Sequence, residues 1–280
     1  MKIVTKNAVR TFGVKEVNRL ESETHGHIEE IELVGYTVLP GVLSDAELEV
    51  ARVKIDQIYQ TQIDEIGGRQ YLEAIGDTYT AMCLLAYDEF FLSLATKPRV
   101  LALVEHFLGD YFTLMMQNGI INVPEVGDDQ NPGYWHRDLG YQHLISSRPL
   151  GITALYCIDD FNEETGGTRV LPGSHKAEVF PSEEYVQQRQ LTVEASAGSA
   201  ILIDVMLYHR GGHNRSQHVR RGVNNIYTLP LIKQQISLPK ILKGRYQDDA
   251  FLNKLLGYDS ETDASVQEFR QRRIRRKQDA

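Results

Sequence analysis

The sequence predicts a mainly β protein, an antiparallel sandwich or barrel with helices packed around it. From about residue 111, short β-rich segments alternate with turns rich in Gly, Pro, Asp and Asn. That spacing is typical of all-β sandwiches and barrels, and helical patterns precede and follow it. Because no repeat and no low-complexity linker divides the chain, we predict a single domain over residues 1–280.

The first part of the chain, about residues 1–110, is predicted to form a helical flank. Gly35–Gly41 has the pattern of a strand closed by a turn, and Ser44–Glu47 match a helical capping box. Apolar residues then recur near the helical period, which indicates a long amphipathic helix. Two further helices are expected over Glu89–Ala95 and Pro98–Phe107, since proline suits a first helical turn.

The predicted core spans about residues 111–230 and contains six segments with a β pattern: Tyr111–Val123, Gly151–Ile158, Gly167–Leu171, Leu191–Glu194, Ala200–Tyr208 and Gly222–Leu229. A polar segment, Lys176–Gln190, interrupts these strands, and we expect a loop or short helix there over one mouth of the barrel. Beyond Pro230 the chain becomes polar and helical again. This predicts a C-terminal helical tail over about residues 231–280.

Composition and charge exclude several classes of partner. No apolar run approaches the roughly 20 residues of a membrane helix, and the first residues lack the apolar region of a secretory signal. The net charge of −8 argues against nucleic acid as a partner, and we interpret the basic run at residues 270–277 as a solvated helix face or tail. We therefore expect a soluble, cytoplasmic protein. Its two cysteines, Cys83 and Cys157, are expected to be reduced core residues.

Candidate metal ligands follow the turn-rich loop Pro124–Pro132. On a strand, residues i and i+2 point to the same face, so His136 and Asp138 can bind one ion. The pattern alone is weak, because the chain has nine histidines and a second such pair in His27-Ile28-Glu29. We interpret that second pair as part of an exposed N-terminal face, since no turn-rich rim or downstream partner accompanies it.

A third candidate ligand lies about 70 residues downstream, where an apolar strand ends at His209 and glycines follow. His213 and His218 compete for this role, but His209 is favoured because a strand end fixes its direction. Two imidazoles and one carboxylate leave three coordination positions open, which suits Fe(II) chemistry with dioxygen. A zinc hydrolase would more often show three ligands and a nearby Glu base.

Three arginines, Arg215, Arg220 and Arg221, lie just beyond these histidines and open the next strand. A buried dicarboxylate needs a fixed guanidinium for bidentate pairing, and an arginine beside the metal would supply it. The residues alone leave the choice among the three open.

These residues resemble the phytanoyl-CoA dioxygenase family of Fe(II)/2-oxoglutarate oxygenases over nearly the whole chain. The resemblance is carried by Gly35–Gly41, by residues 135–138, by residues 159–176, and by His209 with the Asn-Arg-Ser and Arg-Arg groups after it. Its most specific part is the Gly-Gly…Pro-Gly-Ser-His block that ends at His175, a histidine that the resemblance makes structural. The resemblance implies a double-stranded β-helix, also called a jelly roll and cupin-like, with flanking helices.

The resemblance also implies residue roles. His136, Asp138 and His209 would form the facial triad that binds Fe(II). Arg220, eleven residues after the distal histidine, would bind the far carboxylate of 2-oxoglutarate, and Arg221 is its rival because a one-residue register slip exchanges the two faces. Further cosubstrate contacts are expected from two residues on strands facing the same cavity, Thr168 and Gln117.

The implied activity is the oxidation, most simply the hydroxylation, of a small-molecule metabolite, with Fe(II), 2-oxoglutarate and dioxygen as cofactors. We favour a natural-product or amino-acid-like substrate, and the carboxylate of Asp138 argues against halogenation. Desaturation, ring closure and peroxide formation stay open, as do the substrate and the oligomeric state. The alternatives are a non-catalytic, cupin-like metal-binding or sensing protein and an oxygenase that acts on a macromolecule, which the acidic charge disfavours.

Overall fold

The computed structural model describes residue 9 and residues 11–18, 20–124 and 133–278, so most of the predicted loop Pro124–Pro132 lies outside the described residues. Helices in the described part are α1 (Glu23–Val34), α2 (Asp45–Glu65), α3 (Arg69–Ile75), α4 (Leu84–Tyr87), α5 (Phe90–Ala95), α6 (Pro98–Leu108), α7 (Glu183–Arg189), α8 (Leu238–Leu242), α9 (Ala250–Leu255) and α10 (Val266–Gln278). None of them is long and apolar enough to cross a membrane.

The strands are β1 (Tyr36–Leu39), β2 (Thr80–Ala81), β3 (Thr113–Asn122), β4 (Gly151–Cys157), β5 (Arg169–Val170), β6 (Leu191–Thr192), β7 (Ala200–Asp204), β8 (His209–Arg210) and β9 (Arg220–Thr228). They form a large antiparallel sheet in the order β1-β7-β4-β9-β3-β2 and a small sheet in the order β6-β5-β8. Two facing antiparallel sheets with helices outside confirm the predicted jelly roll. The predicted helical flank also contributes β1 and β2 to the edges of the large sheet.

Local sequence signals account for several element boundaries. The predicted capping box is present, with the Ser44 side chain accepting from the Glu47 N–H and the Glu47 carboxylate accepting from the Ser44 N–H, and α2 begins there. Gly35 ends α1 in the left-handed conformation, with φ of 90°. A Cβ at Gly35 would come within 2.7 Å of both His175 Nδ1 and Leu207 Cδ1, so glycine also allows the close approach of the Pro-Gly-Ser-His turn.

The two faces of the large sheet have different neighbours, because alternate residues of each strand point to opposite sides. On the inner face, Leu155 and Ile201 pack with Val170 of the small sheet. On the outer face, Ala154 and Leu202 belong to the main core shared with the helices. Residues whose side chains lie between the two sheets are therefore those that can line a site.

Polar side chains on the outer face anchor the helices. Tyr156 Oη donates to the Leu94 carbonyl at 2.7 Å and Asn225 Nδ2 donates to the same oxygen at 3.2 Å, so both bind the backbone of α5. These buried hydrogen bonds fix the helical layer against the sheet, which leaves the inner face for chemistry.

Candidate metal centre

The backbones of two distant segments bring His136, Asp138 and His209 together. His136 and His209 form an antiparallel bridge in which each N–H donates to the other residue's carbonyl at 3.0 Å. Two residues further on, the Asp138 N–H donates to the Val205 carbonyl at 3.0 Å. The segment around His136 thus adds to the small sheet beside β8, and one ligand atom from each of the three side chains lies within 4.8 Å of the others.

Both imidazoles are oriented to present Nε2 to a metal. His136 Nδ1 lies 2.8 Å from the Tyr134 carbonyl, and His209 Nδ1 lies 3.0 Å from the Leu207 carbonyl. A carbonyl accepts only, so each Nδ1 carries the proton and each Nε2 keeps a free lone pair. Nε2 of His209 lies 3.5 Å from Asp138 Oδ1, on the side where an ion would contact both.

One carboxylate oxygen of Asp138 accepts a hydrogen bond from the protein, and the other is available to a metal ion. Thr153 Oγ1, on the inner face of β4, donates to Asp138 Oδ2. This bond leaves Oδ1 turned toward His209 as the single oxygen available to an ion. Two nitrogen donors and one oxygen donor, each oriented by a further hydrogen bond, fit a ferrous ion with open coordination positions.

Burial and the charges of the neighbouring ligands shift the pKa of all three groups. Burial, together with the nearby charge of His209, lowers the pKa of His136. Burial alone would raise the pKa of Asp138, but the adjacent His209 and the Thr153 hydrogen bond outweigh it and lower this pKa. Burial would likewise lower the pKa of His209, and the Asp138 carboxylate reverses the shift and raises it. An ionised carboxylate and a neutral His136 are ligands that a divalent cation can bind directly.

Arg220 is a buried cation on the same side of the sheet. It is 3% exposed, its guanidinium carbon lies 4.1 Å from the centre of the Phe161 ring, and Nη2 donates to the Gly166 carbonyl at 2.7 Å. Nε has no hydrogen-bond partner, and no carboxylate of the described residues forms an ion pair with this arginine. Burial lowers the pKa of Arg220 to about 10, and the charge of nearby Asp159 offsets this shift only in part, so the guanidinium stays charged without a directly paired carboxylate in the described residues.

The rival arginines are placed elsewhere. Arg221 points to the opposite face, where Nε and Nη2 each donate to an Asp56 carboxylate oxygen at 2.8 Å and Nη1 lies 3.4 Å from Asp159. Arg215 and His218 are exposed. His213 does not belong to the group of ligand atoms that could share an ion.

The two weaker cosubstrate predictions have different outcomes. Gln117 pairs with Asn225 on the outer face, and its Nε2 donates to the Phe91 carbonyl at 2.8 Å. The prediction for Gln117 is therefore wrong, because this amide faces α5 and lies behind the sheet that separates it from the metal ligands. Thr168 precedes β5 on the same face as Val170, which pairs with His209. Its contact with a cosubstrate stays a prediction.

Arg137, between the two ligands of the His-x-Asp pair, has a structural role that the sequence did not reveal. It is 2% exposed and its guanidinium donates to the carbonyls of residues 142 and 144 on one loop and of residues 174 and 177 on another. The same group lies over the Tyr208 ring at 4.1 Å. It thus ties the ligand-bearing segment to both loops that border it.

Thr153 is another residue that sequence reasoning missed. A hydroxyl inside the fully buried strand Gly151–Cys157 is the only sign of it that the sequence offers. Such a hydroxyl more often bonds to neighbouring backbone, so the sign becomes specific only when the partner carboxylate is seen.

A jelly roll that holds a His-x-Asp…His group on its inner face defines a class, the cupin-like, metal-dependent oxygenases. The family model for phytanoyl-CoA dioxygenase matches residues 31–222. The chain therefore belongs to the phytanoyl-CoA dioxygenase family. This membership confirms the predicted enzyme class, an Fe(II)- and 2-oxoglutarate-dependent dioxygenase, and with it Fe(II), 2-oxoglutarate and dioxygen as cofactors.

Two curated relatives cover most of the chain. Uncharacterized protein Rv1501 of Mycobacterium tuberculosis is 29% identical over 244 residues, which cover 85% of this chain and 88% of that protein. Dioxygenase af480 of Aspergillus fumigatus is 24% identical over 245 residues, which cover 82% of this chain and 75% of that protein.

Solved structures share the fold at low sequence identity. The epimerase SnoN from nogalamycin biosynthesis, solved in complex with Fe3+, alpha ketoglutarate and nogalamycin RO, is 20% identical with a TM-score of 0.57 over 74% of this chain and 84% of its own. HygX from Streptomyces hygroscopicus, solved with nickel and 2-oxoglutarate, is 18% identical with a TM-score of 0.57 over 76% of this chain and 90% of its own.

Proposed function

We propose that this protein hydroxylates a small-molecule metabolite, with His136, Asp138 and His209 holding Fe(II) and Arg220 binding the far carboxylate of 2-oxoglutarate. One observation carries the proposal: the three oriented ligands lie between the same two sheets as a buried arginine that pairs with no carboxylate of the described residues. An isolated buried guanidinium is costly, and a bound dicarboxylate would neutralise it. We further propose that residues 1–280 act as one catalytic domain.

The protein's own residues prepare this reaction. When bound, iron with 2-oxoglutarate and dioxygen supplies the oxidant that places one oxygen atom in a C–H bond while 2-oxoglutarate becomes succinate and CO2. Thr153 holds Asp138 Oδ2 and the backbone carbonyls of Tyr134 and Leu207 hold the two imidazoles. His136 is the most exposed residue of the three, so the ligand group can be reached from its side. Arg220 would bind the carboxylate of 2-oxoglutarate that lies away from the three metal ligands.

A natural-product substrate is supported by the names of the proteins to which this chain is similar. SnoN and the related carbocyclase SnoK act in nogalamycin biosynthesis, and several fungal relatives are named as dioxygenases. We propose a small metabolite of this general kind as the substrate. The acidic net charge supports neither nucleic acid nor an anionic surface as the target.

The proposal is tested by succinate formation and by metal binding. Purified protein is supplied with Fe(II), 2-oxoglutarate and dioxygen together with a panel of metabolites, and succinate is quantified by mass spectrometry. His136→Ala and Asp138→Ala should each abolish iron-dependent succinate formation and calorimetric binding of Mn(II), because each removes one of three ligands. His218→Ala, which changes an exposed histidine, is the matched control and should retain both. Full succinate formation in His136→Ala would contradict the assignment.

A further inference from the structure

Two asparagines lie side by side on the inner face of the large sheet. Asn118 of β3 and Asn224 of β9 are direct partners in the strand register, so their side chains leave the sheet on the same side. Asn224 pairs on its other side with Leu155 of β4. Neither asparagine was among the residues that the sequence singled out.

The strand register places this pair on the metal side of the sheet. Thr153, whose hydroxyl donates to Asp138, pairs with Ile226, and Leu155 follows Thr153 on the same face. Since Asn224 pairs with Leu155, its side chain shares the face of the Asp138 contact. Arg220 lies on this face too, four residues earlier in β9, or about 13 Å away along the strand. The asparagines and the arginine therefore occupy separate positions along one strand face.

The hydrogen bonds of the pair are incomplete. Asn224 is half-buried, and its Oδ1 is a buried oxygen without a hydrogen-bond partner in the described part of the chain. Asn118 Oδ1 accepts from the Cys83 N–H at 2.9 Å, which turns its Nδ2 away from that contact as a remaining donor. Asn225 on the outer face also has an Oδ1 without a partner, but its Nδ2 donates to the Leu94 carbonyl and to the Tyr227 hydroxyl. A buried amide oxygen without a partner costs stability, and such a cost is typical of sites that bind a ligand.

The surroundings of the two amides are uncharged. The nearest positions on the same face are Met116 and Ile120 of β3, Leu155 of β4, and Gly222 and Ile226 of β9. Ile226 belongs to an apolar cluster with Met115, Leu139, Val205 and Met206. A charged ligand group would lack a counter-charge here, whereas a carbonyl or hydroxyl on an apolar skeleton would satisfy the amides and bury its carbon atoms.

We propose that Asn118 and Asn224 bind the substrate, and that the substrate carries a neutral carbonyl or hydroxyl group on a largely apolar skeleton. This inference rests on the proposed function, because it takes the cavity beside His136, Asp138 and His209 as the place of reaction. Asn224 offers a donor and an acceptor, and Asn118 adds a donor. The pair thereby selects for a polar oxygen at one point and orients the skeleton relative to the metal.

The test uses probes that share one skeleton: 1-indanone, 1-indanol, indane, 1-aminoindane and indane-1-carboxylate. Full-length protein is loaded with Mn(II) and 2-oxoglutarate, and paramagnetic broadening of each probe's NMR signals reports binding near the ion. Wild type should bind the ketone and the alcohol about five- to tenfold more tightly than indane, as expected for one or two uncharged hydrogen bonds. The cationic and anionic probes should bind more weakly than the neutral oxygenated ones.

Asn224→Leu provides the decisive variant. It should abolish the preference for the ketone and the alcohol over indane, while the melting temperature of the apoprotein stays the same or rises, because an amide whose buried oxygen has no partner is replaced by an apolar group of similar size. A purely structural role for Asn224 would instead lower the melting temperature. Asn253→Leu is the matched control, since Asn253 also has a buried, unpartnered Oδ1 but lies in α9, and it should keep the preference.

The outcomes separate the two proposals. If wild type shows no preference for the oxygenated probes, or if Asn224→Leu keeps that preference, the role of the asparagine pair is overturned. If the protein binds neither Mn(II) nor 2-oxoglutarate in calorimetry before any probe is added, the proposed function itself fails.

Discussion

The backbones of His136 and His209 exchange two hydrogen bonds, each 3.0 Å long, so the two imidazole ligands are held by direct backbone pairing of the segment around His136 with β8. These backbone hydrogen bonds between His136 and His209 do not require a bound metal. We therefore expect the ligand group to be preformed in the apoprotein, and metal binding to need little rearrangement.

Thr153→Val tests whether the hydroxyl on Asp138 Oδ2 tunes metal binding. The variant keeps the shape of the side chain and removes the donor, so the carboxylate loses the bond that fixes its orientation. Loss of such an outer partner lowers metal affinity by about ten- to a hundredfold. Calorimetry with Mn(II) measures the change.

The control for this prediction is Thr228→Val. Thr228 is also fully buried, but its hydroxyl has no partner in the described part of the chain. The substitution should leave Mn(II) affinity unchanged. Equal affinities for Thr153→Val and wild type would show that Asp138 is fixed by its backbone alone.

Arg220→Gln should raise the 2-oxoglutarate concentration needed for half-maximal succinate formation. The variant removes a charge-assisted anchor, and a loss of about 2–3 kcal/mol corresponds to roughly a 30- to 150-fold increase. Arg221→Gln is the matched control, because Arg221 binds Asp56 and Asp159 on the other face. It should leave the cosubstrate requirement unchanged. The reverse pattern would transfer the role to Arg221.

Gln117 shows where prediction from the sequence failed. Thr113 pairs with Thr228 on the inner face, and simple alternation from Thr113 would place Gln117 on that face as well. The register shifts between Leu114 and Met116, so an extra residue reverses the alternation and turns Gln117 toward the helices. A bulge of this kind depends on tertiary pairing and leaves no clear signal in one sequence.

His136 and Asp138 show what the sequence did predict. Their i, i+2 spacing places both side chains on one face of an extended segment, and although the structure forms only an isolated bridge at His136, it brings both side chains to His209. The choice between Arg220 and Arg221 could not be predicted in the same way, because it depends on the register of β9. In the structure Arg220 pairs with Asn122 in the strand register, and Arg221 binds Asp56 on the opposite face. Local periodicity could be read from the chain, whereas strand pairing could not.

Arg137→Met is expected to destabilise the fold and the metal site together. The guanidinium donates to four carbonyls of two loops, and methionine would leave these oxygens without donors at a cost of at least about 3 kcal/mol. Arg137→Lys should rescue little, since one ammonium group cannot reach both loops. Urea unfolding measures the loss. The control is Arg189→Met, at an exposed position of α7, which should keep full stability. Full stability of Arg137→Lys would contradict the proposed role of the Arg137 guanidinium in joining the two loops.

Two buried groups outside the metal centre give the stability of the fold opposing dependences on pH. Burial, with the charges of Lys176 and Arg137, lowers the pKa of His175 from 6.5 to about 4. Between these values the unfolded chain binds a proton that the folded chain does not, so His175 makes stability rise with pH. Burial raises the pKa of Asp204 from 3.8 to about 6, and there the folded chain keeps a proton that the unfolded chain has lost. Asp204 therefore makes stability fall with rising pH.

Asp204→Asn separates these two effects. Asparagine keeps the oxygen that accepts from the Met206 N–H at 2.9 Å and cannot ionise. Relative to wild type, the variant should gain about 3 kcal/mol of unfolding free energy between pH 4 and pH 7, since two pKa units correspond to about that much. The free energy of unfolding of the variant should rise across this window because only His175 still acts. In the wild type the opposing effects of His175 and Asp204 should keep it nearly constant. Urea unfolding at a series of pH values measures both curves. Parallel curves would show that Asp204 is ionised at no cost in the folded protein, against the effect that its burial predicts.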